Sequence, residues 1–313
     1  MMNNEFIDIF IPSYKRANNL KTVKYFTANG YEAGKIHVVI DSEADDKEEY
    51  EKECERYNVN LYVYNIDEAR VRYDFVHRPS PARRAAGMAR NMIYDIARNK
   101  GIKFYIVQDD DTQGYEVKRY GKYCRLARIN EVVSVFNSIK RFMEVNRIGL
   151  FGLSQTGDYI GDAKCVLYQP KVMNTTFVNA NYIYAGERGV QDDDTSMFTG
   201  VLNEGYFTGQ LMDGVVLKQT QSATAEGGLT DLYKELKLLN KALVTVIQYP
   251  SAIIAEKQKM NGGRLHHRIN YRYLMPKILK MPNGRSNIAW DTYPEDGMFT
   301  NEPKLRRAGN GEI

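Results

Sequence analysis

The chain has 313 residues, 43% of them hydrophobic and 26% charged, so it can bury a core of one large domain or two small ones and is neither disordered nor collagen-like. No apolar run approaches the roughly 20 residues of a membrane span, and Asp8 and Pro12 break the first apolar run, which excludes a signal-peptide reading of the opening residues. The net charge of +4 is uneven: Glu256–Ile313 carries eleven Lys/Arg against six Asp/Glu, while the preceding residues are close to neutral. Three cysteines, Cys54, Cys124 and Cys165, at unrelated spacings exclude a disulfide scaffold and a cysteine zinc site, and they suit a reducing cytoplasm.

Strand and helix signals alternate along the first 110 residues. Glu5–Ile11 alternates with period two and reads as a strand, ended by Pro12-Ser13. Asn18–Asn29 reads as a short helix, Ile36–Asp41 as a continuously apolar strand, Glu43–Tyr57 as a charged helix and Leu61–Ile66 as a third strand. Ala82–Asn99 has the clearest helical pattern, with Ala85, Met88, Ala89, Met92, Ile93 and Ile96 on one stripe and Ser80-Pro81 at its start. Lys103–Gln108 is a fourth strand that runs directly into Asp109-Asp110-Asp111. Such alternation predicts an α/β fold with a mixed, mostly parallel central sheet flanked by helices, whose ligands bind at the carboxyl ends of the strands. Beyond it, Ile129–Val145 reads as a helix, Ile148–Ser154 and Cys165–Gln169 as strands, and Asp192–Asn203 and Leu229–Lys241 as helices. The glycines in Ala225–Gly228 suit a hinge, and after Gln248 repeated Gly and Pro leave the order of elements open.

Four features could carry chemistry. Three adjacent carboxylates at the end of a buried strand are costly unless a cation compensates them, and hard oxygen ligands suit Mg²⁺ or Mn²⁺ held together with substrate phosphates; a solvated acidic turn is the bland alternative. Arg83 and Arg84 open a helix where cations oppose the dipole, which a bound diphosphate would offset, and Arg90 and Asn91 lie on the same polar face. Asp192-Asp193-Asp194 opens another helix, where carboxylates are favoured by capping alone but one could also act as a general base. His266-His267 sits in a basic segment, where one imidazole could complete a metal site begun by Asp111. No GxxxxGK[ST], HExxH, GxSxG or strand–GxGxxG–helix pattern occurs, which removes most of the case for P-loop enzymes, zincins, serine hydrolases and dinucleotide oxidoreductases.

Taken in order, Ile9-Phe-Ile-Pro-Ser-Tyr-Lys-Arg16, Asp41-Ser42 with Asp45 beyond, Ala89-Arg-Asn91, Asp109-Asp110-Asp111 and Gln191-Asp-Asp-Asp194 resemble the GT-A class of nucleotide-sugar glycosyltransferases. The opening Ile-Pro-Ser and the late histidines look most like the TET-associated glycosyltransferases of phages, although Gln191 stands where Glu is frequent. The resemblance implies a single GT-A-type domain over residues 1–255 with a basic segment at 256–313, in the cytoplasm of the host cell. It implies a nucleoside pocket at Pro12, Ser13, Arg16 and Asp41, with Arg84, Arg90 and Asn91 near the ribose or diphosphate of a UDP-sugar donor. Asp109 and Asp110 would lie on the donor side, Asp111 with His266 or His267 would hold Mn²⁺ or Mg²⁺, and Asp192 or Asp193 would serve the acceptor. The implied acceptor is a hydroxymethylated pyrimidine in DNA, with Arg264–Arg307 gripping the backbone through cations set among Tyr271, Tyr273 and Trp290. A polysaccharide, lipid or protein acceptor is the main alternative, and a nucleotidyltransferase a further one.

Overall fold

A computed structural model of the protein describes residues 5–73, 86–119, 122–154, 166–168, 172–181, 193–212, 214–219, 242–257 and 265–274. In chain order the strands and helices begin with β1 (Asp8–Pro12), α1 (Lys21–Ala28), β2 (Ile36–Asp41), α2 (Lys47–Tyr57), β3 (Asn60–Tyr64), α3 (Ile66–Arg72), α4 (Ala86–Asn99) and β4 (Phe104–Gln108). They continue with β5 (Thr112–Arg119), β6 (Lys122–Leu126), α5 (Ile129–Asn146), β7 (Ile148–Leu153), β8 (Val166–Tyr168), β9 (Thr175–Asn179), α6 (Asp193–Asn203), β10 (Phe207–Leu211), β11 (Gly214–Gln219), β12 (Ile253–Lys257) and β13 (Leu265–Ile269). Residues 242–248 and Tyr271–Leu274 are also helical.

Eight strands form the central sheet in the order β3-β2-β1-β4-β9-β7-β10-β8. The first four run parallel, with Ile9 opposite both Ile36 and Ile106. β9 is antiparallel to β4 and to β7, β10 returns parallel to β7, and β8 closes the edge antiparallel. The fold class expected from the sequence, mixed and mostly parallel α/β with helices on the sheet, is the one found.

Alternate residues of each strand supply the two faces. Ile9, Ile11, Val38 and Ile106 pack with Val23 and Phe26 of α1, Tyr50 of α2 and Phe136 of α5. Phe10, Val39, Tyr105 and Val107 pack on the opposite face with Met88, Met92 and Ile93 of α4 and with Met197 and Val201 of α6. Both faces are therefore covered, and β2 and β4 are buried along their whole length. The small sheet β11-β5-β6 lies on the first face, through Tyr115 and Val215.

Beyond α6 the chain packs back on that helix: Phe198 and Leu202 meet Tyr249, Ala252, Ile253 and Leu274. The β12–β13 hairpin, in a region where sequence left the order open, pairs Ala255 with His267. A division between residues 255 and 256 falls inside β12. The expected helix Leu229–Lys241 and the glycines of Ala225–Gly228 lie outside the described residues, as do Ser80–Ala85 at the expected start of α4.

Helix ends follow local chemistry. Asn65 caps α3 by accepting from the backbone N–H groups of Asp67 (2.9 Å) and Glu68 (3.2 Å). Asn58 closes α2 in the left-handed region, at φ 54°.

Candidate active site

β1 is flanked by β2 on one side and β4 on the other, so the chain's winding reverses between β1 and β4. In open α/β sheets that reversal opens a crevice at the carboxyl ends of the strands. Pro12–Arg16 follow β1 there, Asp41 ends β2, and Asp109–Asp111 follow β4.

Of the three consecutive aspartates, Asp110 is turned inward. Its side chain is 7% exposed, and it accepts from Ser13 Oγ and Arg16 Nη1, both at 2.6 Å. The Tyr50 hydroxyl, from α2, lies 2.7 Å from Ser13 Oγ and accepts from the Arg16 backbone N–H at 3.1 Å. Burial pushes the Asp110 carboxyl above its ordinary value, against the pull of Arg16 and Ser13. Burial alone would weaken the charge on Arg16, but Asp110, with Asp111 and Asp109 behind it, holds that guanidinium charged more firmly than usual. This network pins the loop after β1 onto β4 and α2. Within it Lys15 takes φ 54°, a left-handed conformation that turns the chain sharply between Ser13 and Arg16.

Asp109 has a different partner. Arg90 of α4 donates through Nη2 to Asp109 Oδ1 at 2.9 Å, and through Nη1 it forms a short ion pair with Asp193 Oδ2, in the first turn of α6. Burial pushes Asp109 up to about 6; Arg90 opposes that rise, and the neighbouring Asp111 and Asp110 add to it. Its backbone is fixed as well, since Thr22 of α1 donates from Oγ1 to the Asp109 carbonyl at 2.5 Å and accepts at the same oxygen from the Thr112 N–H at 3.0 Å.

The Asp111 side chain is 20% exposed, and its Oδ2 lies 3.9 Å from Arg16 Nη1. Asp41 is buried, with Oδ1 accepting from the Glu43 N–H at 2.9 Å, which shapes the turn after β2. Pro12 sits opposite Val39, and the Ser13 N–H continues the ladder to the Val39 carbonyl at 3.1 Å. Asn91 is buried in α4. His267 is buried on β13 with Nε2 3.4 Å from Thr195 Oγ1 of α6, and the His266 ring lies beside it, centroids 4.3 Å apart. His267 is thus near the start of α6, but among the described residues no group of three or more His, Cys, Asp or Glu side chains is arranged to hold a metal ion. Asp192 and Arg84 lie outside the described residues.

Several residues that shape this site carry no signal of their own in the sequence. Tyr50 lies in a helix that reads as a charged surface element. Thr22 belongs to a short helix with no motif. Below the site, buried Gln108 donates from Nε2 to Thr112 Oγ1 at 2.5 Å and accepts at Oε1 from Thr175 Oγ1 (2.8 Å) and the Tyr115 hydroxyl (3.1 Å). A glutamine immediately before the acidic triplet, followed by Thr112, is the one hint of that network that could be read from sequence.

The family model described as TET-Associated Glycosyltransferase matches residues 7–228. No curated protein matches the chain. Among solved structures, the mannosyltransferase PcManGT from Pyrobaculum calidifontis, in complex with GDP-Man and Mn²⁺, is 13% identical with a TM-score of 0.44, covering 70% of this chain and 58% of that one. A cytidylyltransferase from Leptospira borgpetersenii is 9% identical with a TM-score of 0.31, covering 56% of this chain and 60% of that one. Glucosyl-3-phosphoglycerate synthase from Mycobacterium tuberculosis, in complex with Mn²⁺, UDP and glucosyl-3-phosphoglycerate, is 9% identical with a TM-score of 0.41, covering 84% and 86%. The chain thus spans less than two thirds of the length of the first two.

Proposed function

The chain belongs to the TET-associated glycosyltransferase family, and from that membership we propose that it moves a sugar from a nucleotide-sugar donor, a UDP-sugar, to a hydroxyl acceptor with the help of a divalent cation. One observation carries the reading: at the carboxyl end of β4 the middle aspartate is consumed by Ser13 and Arg16, while Asp109 and Asp111 on either side keep 25% and 20% side-chain exposure. A cation that arrives with a diphosphate needs one or two protein carboxylates rather than a closed cage of ligands, and hard oxygens suit Mn²⁺ or Mg²⁺. The donor set therefore fits, with Asp111 as the ligand and His266 or His267 as a candidate second one. Bound there, the cation would act as a Lewis acid toward the departing nucleoside diphosphate.

The chain's own residues would do the rest. Pro12, Ser13 and Arg16 form the loop that bounds the nucleoside, held rigid by Asp110 and Tyr50. Asp109 faces the ribose side. The acidic segment Asp192-Asp193-Asp194 is assigned to the acceptor side, with Asp192 as the general base if the reaction inverts the anomeric centre.

For the acceptor we favour a hydroxymethylated pyrimidine in DNA. Arg268 (59% exposed), Arg272, Tyr271 and Tyr273 (66% exposed) stand on the surface where the chain packs on α6, and cations among aromatics suit phosphate contact and base stacking. No helix among the described residues is long and apolar enough to cross a membrane.

The decisive test is Asp111→Asn, which removes a ligand charge but keeps the shape. Turnover should fall about a thousandfold or more, as it should in excess EDTA, with the melting temperature unchanged. Full activity in either case refutes the metal-dependent reading. Reversing Arg268 and Arg272 to Glu should raise KM for DNA and leave donor hydrolysis unaltered; undiminished use of DNA would point to a saccharide, lipid or protein acceptor.

A further inference from the structure

Arg90 joins the two acidic motifs. It lies 19 residues before Asp109 and 103 before Asp193, and its two terminal nitrogens go to different carboxylates, Nη2 to Asp109 and Nη1 to Asp193. The three residues come from three elements, α4, the end of β4 and the first turn of α6. The guanidinium is 19% exposed and the Asp193 side chain 9%, so water screens the contacts weakly. α4 is fixed beneath by Met88, Met92 and Ile93, and α6 by Met197 and Val201, in one apolar cluster on the sheet. The first turn of α6 carries Asp193 and Asp194, and Arg90 is the described side chain that ties it to the carboxylate at the end of β4. Without a cation between them these like charges repel, and the turn would move away from the strand end.

We infer that Arg90 is a positioning residue: it clamps the first turn of α6 to the end of β4 and so fixes the acceptor-side carboxylates against the donor side of the same crevice. This rests on the glycosyltransferase reading, which makes the β4 end the donor side and the α6 turn the acceptor side. Arg90 is then no ligand of the diphosphate. A guanidinium can serve because it presents separate donors in a planar fork, one edge to each carboxylate, whereas a lysine offers a single charged centre. Misplacing a reacting group by about 1 Å can cost on the order of a hundredfold in rate.

The role predicts a split between binding and turnover. In the full chain, Arg90→Met should lower kcat for transfer from UDP-glucose to a duplex oligonucleotide carrying 5-hydroxymethylcytosine by about a hundredfold. UDP affinity in Mn²⁺, measured by calorimetry, should stay within about threefold, because removing a cation from beside Asp109 does not weaken that end for a metal. Arg90→Lys should recover part of the rate, and Asp193→Asn should show the same split. The double variant Arg90→Met/Asp193→Asn should be no worse than the poorer single, since both remove one clamp. A fall in UDP affinity that tracks kcat would make Arg90 a donor ligand and overturn the inference, as would losses that multiply in the double variant. Should Arg90→Met fail to fold, Asp193→Asn alone decides, because it cuts one arm of the clamp: an unchanged kcat overturns the inference. A wild-type chain that neither hydrolyses nor transfers any of UDP-glucose, UDP-galactose and UDP-N-acetylglucosamine overturns the UDP-sugar donor reading and, with it, this inference as stated, whereas multiplicative losses in an active enzyme overturn the inference alone.

Discussion

The two ends of the parallel strands treat charge in opposite ways. At the amino end of β1, Asp8 has two partners to itself, Lys35 Nζ at 3.1 Å and His37 Nε2 at 2.8 Å. Burial would raise its pKa, but the hydrogen bonds from His37 and Lys35 win and hold the carboxyl below its ordinary value. At the carboxyl end, among the described residues, Asp109, Asp110, Asp111 and Asp193 lie against the guanidinium groups of Arg16 and Arg90. There burial wins, and Asp109 and Asp110 are both pushed up. A balanced cluster adds stability and leaves no charge for a ligand. A cluster in which burial outweighs the ion pairs costs stability and holds carboxylates a cation would favour, which is the expected signature of a site rather than of scaffold.

The contrast can be broken most severely at Asp110. Asp110→Asn leaves Arg16 as a poorly matched buried cation and should cost roughly 3 kcal/mol in urea unfolding, with donor affinity lost as the loop after β1 loosens. A variant as stable as wild type with intact donor affinity would show that the network is incidental.

Asp109 sharpens the contrast through pH. Its folded-state pKa, about 6, lies above the ordinary 3.8, so the folded protein holds the proton more tightly than the unfolded chain does. Its stabilising contribution is therefore complete below about pH 4 and is lost as pH rises through about 6. In metal-free protein, Asp109→Asn should remove that slope and raise stability at pH 8 by roughly 1–2 kcal/mol, read by denaturant unfolding across pH. A destabilised variant at pH 8 would contradict the dominance of burial over the Arg90 pairing at Asp109.

The smallest effect belongs to the balanced end. Asp8→Asn should cost about 1 kcal/mol at neutral pH and leave kcat and donor affinity unchanged. Its pH dependence has the opposite sign: with a lowered folded-state pKa, Asp8 stabilises above its ordinary 3.8 and loses that contribution as pH falls further. Loss of activity in Asp8→Asn would mean that the two ends are not independent.

How legible each part was depended on how local its signal is. β2, β4, α4 and α5 stand where apolar runs and 3.6-residue stripes predict them. β1 does not follow its alternating pattern: covered on both faces, it buries Ile9, Phe10 and Ile11 in succession. β9 escaped because Thr175, Thr176 and Asn179 are buried through hydrogen bonds and packing that no hydropathy pattern reveals. β5 was hidden by Gly114 and by its charged residues, and α3 by its shortness, although Asn65 followed by Asp67-Glu68 is a readable helix start.

By itself the sequence determined the fold class and the placing of three acidic residues at the carboxyl end of a buried strand, because periodicity and strand endings are written within a few residues. It could not say that Asp110 turns inward to Ser13 and Arg16, 97 and 94 residues away, while its neighbours stay partly exposed. Nor could it pair Arg90 with both Asp109 and Asp193. Those choices were made when β4 settled beside β1 and α4 and α6 came to share one face of the sheet. Ion pairs depend on distance in space, and only the order of strands and the packing of helices turn distant sequence positions into neighbours.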